Sequence, residues 1–505
     1  MKSNYYISSF FWSTLSKILT AIVNFFSIPL LLGIWGKVDY GILSLATACN
    51  GYMHLLDLGM NTGAVRFYSQ WILGGEMDTV YKVAHSNTVF YLLISFVNIL
   101  GLISIAVWGE SLFNITHEQF LVLRTCLFIL AIFSIPTWIT TSYNQLLVAN
   151  KQMAYTQQMQ CVSTLLKAAL VVVALVFHLS LPVYFFFFTL AVALLLLPYA
   201  VECKRKRLID SFRFAFHWSD FRVVLSYSLS LFALSIFQMT ATQSRPLILG
   251  IFADSAADVA AEYRIIEVIP LFIIMVGGTL TGILLPKSSE LVAKGQQDEI
   301  ERFAYRGTVA STILTNVLCM PFMLGAKEIL SAYVGAEYEY LSVWLIVWCV
   351  TVLFQIHSTP GNSLILAYGK TKLLVYTSAF ACAISMVINA YLCRYYGVGS
   401  AVIGYFVYVL IVIGSYYVAY YRRLLHLSCG RMFASFLRPT FLSLVSFALV
   451  CFIPYDFLSL SVIHNERFYY LFLFALKALT WLFVYALLLR GFKIITVKGR
   501  QITLY

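Results

Sequence analysis

The sequence predicts an all-α polytopic membrane protein of about 14 transmembrane helices, arranged as two parallel six-helix lobes with two further helices at the C-terminal end. Three observations predict it. Of 505 residues, 61% are hydrophobic and 11% are charged, against about 45–50% and about 25% in soluble domains. Mean hydropathy is +0.84. So few charges cannot cover the outside of a soluble fold, which excludes a soluble enzyme, a disordered scaffold and a secreted disulfide domain. The second observation is the spacing of apolar runs, and the third is the distribution of Lys and Arg between them.

A spanning helix needs about 20 mostly apolar residues. The runs that qualify are 7–35, 40–63, 87–108, 120–142, 158–178, 183–201, 223–251, 264–285, 307–326, 341–366, 373–393, 398–419, 440–457 and 468–489. The first is too long for the apolar region of a cleavable signal peptide and flows into more membrane sequence. The connections between runs are short and polar, so no sizeable soluble domain is expected. Placing the N-terminus and every second connection on one side gives that side 24 Lys and Arg and the other side 4, namely Lys37, Lys327, Arg394 and Arg467. Cytoplasmic loops collect basic residues, so both termini are expected inside. The same rule explains the net charge of +12 without nucleic acid as a partner. Ten Cys are dispersed without a C-x-x-C pair and read as small apolar packing residues, not metal ligands or disulfides.

An internal repeat supports the lobes. Pro29-Leu-Leu-Leu-Gly-Ile-Trp35 closes the first run and Pro246-Leu-Ile-Leu-Gly-Ile-Phe252 closes the seventh, with five of seven positions identical. Both runs start on the same side, so the repeats are parallel. The boundaries implied are a first lobe at 1–201, a basic cytoplasmic linker at 202–222, a second lobe at 223–419, and two additional helices with a tail at 420–505.

The first two runs carry a family resemblance. Asn24-Phe25-Phe26 is followed by Pro29-Leu-Leu-Leu-Gly, Asp39-Tyr40-Gly41, Leu55-Leu56-Asp57-Leu58-Gly59 and Ala64-Val65-Arg66-Phe67. Arg245-Pro246, Tyr263-Arg264 and Leu285-Pro286 form the counterpart in the second half. In this order the segments resemble the polysaccharide transporters, the Wzx-type lipid-linked oligosaccharide flippases of the multidrug/oligosaccharidyl-lipid/polysaccharide exporter superfamily. The resemblance is strongest over 1–70 and weaker over 223–290. It implies lobes in a V around a central cavity. The implied activity moves an undecaprenyl-pyrophosphate-linked oligosaccharide from the inner to the outer leaflet of a bacterial inner membrane. The product would serve assembly of O-antigen, capsule or exopolysaccharide, alongside a polymerase and chain-length machinery.

The residues add their own evidence. Lys17, Arg124, Lys167, Arg245, Arg264 and Lys477 lie within or at the edges of spans, with only Asp57 and Glu267 as acidic counterparts. A charge near the bilayer centre costs about 2.5–3.5 kcal/mol or more and normally faces a cavity or a partner. An excess of cations suits an anionic headgroup, which makes Lys17, Lys167, Arg245, Arg264 and Arg124 the substrate-binding candidates, with Lys167 foremost. Asp57 and Glu267 are candidates to sense a coupled proton or sodium ion. Bland readings stand beside these: Lys17 with Asp57 as an ion pair, Arg264 with Glu267 one turn apart as another, and Arg124 snorkelling to the interface. Asn24, Gln238 and Gln243 either line the same space or bond neighbouring helices.

No catalytic residue, cofactor or metal is expected. The chain has no H-E-x-x-H, G-x-S-x-G or dinucleotide fingerprint, and Gly361 to Gly369-Lys370-Thr371 has the wrong glycine spacing for a phosphate loop. The alternatives are a multidrug cation antiporter of the same superfamily, which should favour acidic cavity residues, and a membrane polysaccharide polymerase or acyltransferase, which should carry a longer outer loop.

Overall fold

A computed structural model describes residues 2–210, 215–370, 372–455, 465–498 and 501–504. The last two residues of the expected span 440–457 and part of the basic linker lie outside the described residues. The chain is helical almost throughout and forms two compact units, Met1–Ala261 and Glu262–Tyr505.

The first unit holds α1 (Lys2–Met53), α2 (Met60–Gly74), α3 (Met77–Trp108), α4 (His117–Ala149), α5 (Met153–Phe177), α6 (Leu181–Ala193), α7 (Leu196–Arg205) and α8 (Trp218–Phe252). The unit boundary falls inside α9 (Ala256–Lys294). The second unit continues with α10 (Gln297–Leu324), α11 (Ala326–Tyr333), α12 (Ser342–His357), α13 (Thr359–Ala367), α14 (Lys372–Tyr396), α15 (Val398–Ser415), α16 (Cys429–Cys451) and α17 (Glu466–Gly491). A turn of π-helix, Tyr416–Tyr421, extends α15. Beyond α17, strands Ile495–Lys498 and Gln501–Leu504 pair antiparallel.

Among the described residues, eleven helical stretches are long and apolar enough to cross a membrane. The first, Phe11–Asp57, runs 47 residues, about twice what a bilayer core requires. It takes in most of two expected spans, 7–35 and 40–63, and its helix breaks between them at Gly36 (φ 77°). The 35-residue α8 and the 39-residue α9 cover 223–251 and 264–285. Every expected span therefore has a helical counterpart. Long apolar helices are the outcome physics allows, because each spanning backbone group must find its partner within its own segment.

Two features of the first unit follow from the motif glycines. The helix of the second expected span does not run to residue 63. It tightens into one turn at His54–Asp57, and Leu58 (φ 51°) and Gly59 (φ 74°) then turn left-handed before α2 starts. Gly59 also lies so close to α8 that a Cβ would stand 2.6 Å from the Ser228 carbonyl oxygen. A side chain at Gly41 would meet the Ala257 carbonyl oxygen at 1.8 Å, so α1 and the first turn of α9 touch backbone to backbone there. Small residues at helix crossings serve the same end throughout membrane proteins.

Aromatic side chains fill the core of the first unit, with Tyr68, Tyr91, Trp138, Tyr199 and Phe221 buried together. In the second unit one cluster gathers Tyr416, Tyr420 and Tyr421, and another packs Trp481 and Tyr485 of α17 against α10 and α16. Eight of the ten Cys are buried, and no disulfide joins two of them among the described residues.

Candidate functional site

Helices α1, α3, α4 and α6 of the first unit enclose a cleft lined by Thr47, Asn50 and His54 of α1 and its following turn, Asn98 of α3, Ser134, Thr137 and Trp138 of α4, and Phe185, Phe188 and Thr189 of α6, with Leu130 and Val192. Its empty space, open mouth included, is about 530 Å³. The lining recurs at helical intervals: 47, 50 and 54; 134, 137 and 138; 185, 188, 189 and 192. Each helix thus turns one face to the cleft.

The hydroxyls of that lining are already half used. Thr47 donates to the Ser44 carbonyl (2.9 Å), Thr137 to Phe133 (2.8 Å) and Thr189 to Phe185 (2.8 Å). The Asn98 amide nitrogen donates to Ser134 Oγ at 2.9 Å. Asn98 is 2% exposed, and its Oδ1 has no hydrogen-bond partner. What the cleft presents is therefore a set of polar side chains, both donors and acceptors, beside aromatic faces.

Lys167, on α5, adjoins this cleft. It is half-buried, and its ammonium stands 4.8 Å from the ring centroid of Phe188, a cleft residue. Phe188 in turn stacks with Tyr184 and Phe185. No carboxylate pairs with Lys167 among the described residues. The ring face offers the cation some stabilisation, about 0.5–2 kcal/mol, but leaves its charge uncompensated.

Asp57 ends the one-turn segment that follows α1 and is held on both oxygens. Tyr91 Oη donates to Oδ1 at 2.6 Å and the Asn61 backbone N–H to Oδ2 at 3.1 Å. The second bond satisfies a backbone N–H in the first turn of α2. From Tyr91 a polar chain continues inward: Gln145 Nε2 donates to Tyr91 Oη (2.6 Å), and Asn87 donates to Gln145 (2.8 Å) and Ser142 (3.2 Å). Trp138 links this network to the cleft, stacking on Tyr91 on one side and packing against His54 on the other.

The other sequence candidates fall as follows. Lys17 is exposed on α1, and no ion pair joins it to Asp57 among the described residues. Arg124 is exposed on α4. Arg245 is buried in the first unit, 4% exposed, with Nε donating to the Ala241 carbonyl at 3.0 Å. In the second unit, Arg264 bonds Glu267 at 2.8 Å, and Tyr263 donates to the same carboxylate at 3.0 Å. Lys477, outside the repeated helices, pairs with Glu328 of α11. At the C-terminal end of α9, Glu290 bridges Lys294 (2.6 Å) and Lys287 (3.1 Å), and their ammonium groups hold its carboxyl below the usual carboxylate range.

The structure thus keeps Lys167 and Asp57 near one cleft in the first unit and draws Arg264 and Glu267 into a pair in the second. The Ser, Thr, Asn98, Asn50 and Phe residues that line the cleft are not among the sequence candidates. Such residues in apolar helices read as packing, and only their helical spacing could single them out.

The fold matches that of solved proteins, and the sequence matches a family. The chain resembles the lipid II flippase MurJ in an inward closed conformation, with a TM-score of 0.68, 12% identity, and coverage of 97% of this chain and 99% of that one. It also resembles an inward-facing multidrug resistance MATE family transporter of the MOP superfamily (TM-score 0.58, 14% identity, 83% and 97% covered). A third likeness is to the MATE multidrug transporter DinF-BH (TM-score 0.58, 14% identity, 84% and 96% covered). At these identities the likeness establishes the fold. No curated protein sequence matches. The family described as "Polysaccharide biosynthesis protein" matches over residues 7–292, more than half of the chain. This multi-pass membrane protein, with the fold shared by MurJ and the MATE transporters, belongs to the polysaccharide biosynthesis protein family.

Proposed function

We propose that this chain is a flippase that moves an undecaprenyl-pyrophosphate-linked oligosaccharide from the inner to the outer leaflet of a bacterial inner membrane by alternating access. The substrate would feed assembly of cell-surface polysaccharide, by a polymerase and chain-length machinery acting on the outer face. The observation that carries this reading is Lys167: a half-buried cation in an apolar helix, seated over a ring and not beside a carboxylate. A charge at that cost is retained where a ligand supplies the counter-charge, and an ammonium with three donors suits a phosphate oxygen. Family membership narrows the anion to one used in polysaccharide synthesis.

The multidrug cation antiporter is the weaker reading. Its cavity needs a carboxylate facing the cargo, and none lines the cleft of the first unit among the described residues. The chain acts as a transporter and not as an enzyme in this reading. Its lobes are 1–201 and 223–419, joined by a cytoplasmic linker at 202–222, with 420–505 as two added helices and a cytoplasmic tail. Lys17, Arg124 and Arg245 of the first unit are further candidates to meet the anionic headgroup, and Arg264 is a candidate in the second. Asp57 is the preferred residue to bind a proton returning inward, because a proton there competes with the Tyr91 hydrogen bond at the break before α2.

Deletion of the encoding gene tests the proposal. Lipid-linked repeat units should accumulate on the inner leaflet and surface polysaccharide should disappear. Wild-type protein should reverse both, and a Lys167→Ala variant present at equal abundance should not. A deletion strain with normal surface polysaccharide and no accumulated intermediate would refute the function.

A further inference from the structure

We propose that Tyr91, Gln145 and Asn87 form a hydrogen-bond relay that reverses direction when Asp57 takes up a proton, and that the reversal fastens α2 at Tyr68. Gln145 and Asn87 are then positioning residues for ion coupling. The proposal deepens the reading of Asp57 as the proton-binding residue and rests on it.

Every hydrogen in the relay points the same way. Tyr91 Oη donates to Asp57 Oδ1 at 2.6 Å, Gln145 Nε2 to Tyr91 Oη at 2.6 Å, and Asn87 Nδ2 to Gln145 Oε1 at 2.8 Å. That direction suits a carboxylate, which only accepts, and bonds aligned in a chain polarise one another. It leaves two atoms unsatisfied at the far end. Asn87 Oδ1 has no hydrogen-bond partner, and neither has Tyr68 Oη of α2, which lies beside Asn87. Tyr68, Asn87, Tyr91 and Gln145 are all fully buried, so each unpaired atom bears the cost of its desolvation. Asp57 is half-buried, and a proton enters at that end.

A protonated Asp57 needs an acceptor, and reversal supplies one. Its new O–H donates to Tyr91 Oη, and Tyr91 keeps its own hydrogen and turns it toward Gln145. An amide carries its acceptor and its donors at two ends of nearly equal size. Exchanging the ends of Gln145 therefore turns Oε1 to Tyr91 and Nε2 to Asn87. Asn87 exchanges in the same way, so that Oδ1 receives Gln145 and Nδ2 reaches Tyr68 Oη. Ser142, which accepts from Asn87 at 3.2 Å, rotates its hydroxyl and donates instead. The single new covalent bond is the O–H on Asp57, and every other residue keeps all its hydrogens. The side chains exchange ends in place, so the reversal fits within a close-packed interior. The carboxylate direction holds a charge-assisted bond, whereas the protonated direction satisfies the two atoms left over. Each state has an advantage the other lacks, as an element that a proton can switch requires.

The relay returns to the segment it starts from. Asp57 precedes α2 and accepts from the Asn61 N–H in its first turn, and Tyr68 sits further along the same helix. Reversal adds a tie between α2 and α3, Asn87 to Tyr68, that the carboxylate direction lacks. Helix α2 in turn presses on α8, where a Cβ on Gly63 would stand 2.0 Å from Ser228 Oγ. A change in how α2 is held is therefore felt by α8. Among the described residues, the titratable groups facing this set are His54 of the turn, Tyr68 of α2, Tyr91 of α3, Tyr143 of α4 and Cys203 of α7, and Asp57 is its one carboxylate.

Infrared difference spectra of the purified full chain in lipid nanodiscs, recorded through a pH titration, test the relay. The carbonyl band of a protonated carboxyl reports Asp57, and Asp57→Asn identifies that band by removing it. Tyr68→Phe is the deciding variant, because the Tyr68 hydroxyl joins the relay only in the protonated direction. It should lower the Asp57 midpoint by about one pH unit, the worth of one net hydrogen bond. In a Gln145→Met background, which cuts the relay with a side chain of similar length, Tyr68→Phe should no longer move the midpoint. Asn87→Leu replaces Gln145→Met should the latter lower thermal stability. An Asp57 midpoint unmoved by Tyr68→Phe would overturn the relay and leave Asp57 as the proton-binding residue. A shift that persists in full after Gln145 is replaced would overturn it as well, because the effect would not run through the amide. If Asp57→Asn removes no titrating band, the relay and the proton role of Asp57 fall together, and the flippase reading carried by Lys167 stands.

Discussion

Replacing Gly41 by Ala tests the packing of the first unit in a way that helix propensity and steric contact answer with opposite signs. Gly41 lies inside α1, where Ala is favoured over Gly by about 1 kcal/mol. Propensity alone therefore predicts a stabilised protein. The Cβ, however, would stand 1.8 Å from the Ala257 carbonyl oxygen, 2.5 Å from its carbonyl carbon and 3.1 Å from its Cα. All three are backbone atoms, so no rotamer change relieves the clash. To bring the oxygen to even 3.0 Å, α1 and the start of α9 must separate by more than 1 Å. Overpacking of this kind costs about 1–3 kcal/mol and more where backbone resists, which outweighs the propensity gain. Gly33, eight residues earlier in the same helix, has nothing within 4 Å of its Cβ position and is the control. Thermal unfolding of the purified variants in detergent should rank Gly41→Ala below wild type and Gly33→Ala at or slightly above it. A Gly41→Ala protein as stable as wild type would refute the backbone contact on which this account of the D-Y-G motif rests.

Three further expectations follow from the same geometry. Lys477→Met leaves the Glu328 carboxylate without its partner in a part-buried site, where breaking a pair costs about 3–5 kcal/mol; in a double-mutant cycle read by thermal unfolding, adding Glu328→Leu should restore much of that loss. Tyr91→Phe removes one of the two hydrogen bonds to Asp57, so if Asp57 carries the coupled proton the variant should shift the pH dependence of transport, and an unchanged pH profile would count against Asp57. Single cysteines at Ser255 and Glu337 should react with an impermeant thiol reagent from outside, and at Lys206 and Lys294 only from inside; all four positions are exposed, and Cys451, also exposed, must first be replaced.

The fold was largely legible because membrane helices leave a strong trace: each expected span found a helix, and the Lys and Arg asymmetry depends only on counting. The break at His54–Gly59 was less so. Gly59 stood in a motif, but nothing in its sequence says that Leu58 joins it in left-handed backbone. Among the charges, Arg264 with Glu267 was readable from helical spacing, whereas Lys477 with Glu328 joins residues 149 apart and is visible only once α11 and α17 pack. The cleft was the least legible part. Asn98, Thr137 and Thr189 are on three different helices, and each alone is an ordinary way to bury a polar group. Convergence gives them meaning, and convergence is a property of packing.

The central claim is transport of a lipid pyrophosphate, and its most direct measurement is flipping in proteoliposomes that contain only the purified chain. An undecaprenyl-pyrophosphate glycan placed in one leaflet should appear in the other faster than in protein-free vesicles, with the rate set by an imposed potential at about 2.3 kcal/mol per uncompensated charge per 100 mV. Lys167→Ala should slow this at least tenfold, the loss of one charge-assisted hydrogen bond to the headgroup. Vesicles whose flipping rate is the same with and without the protein would contradict the account.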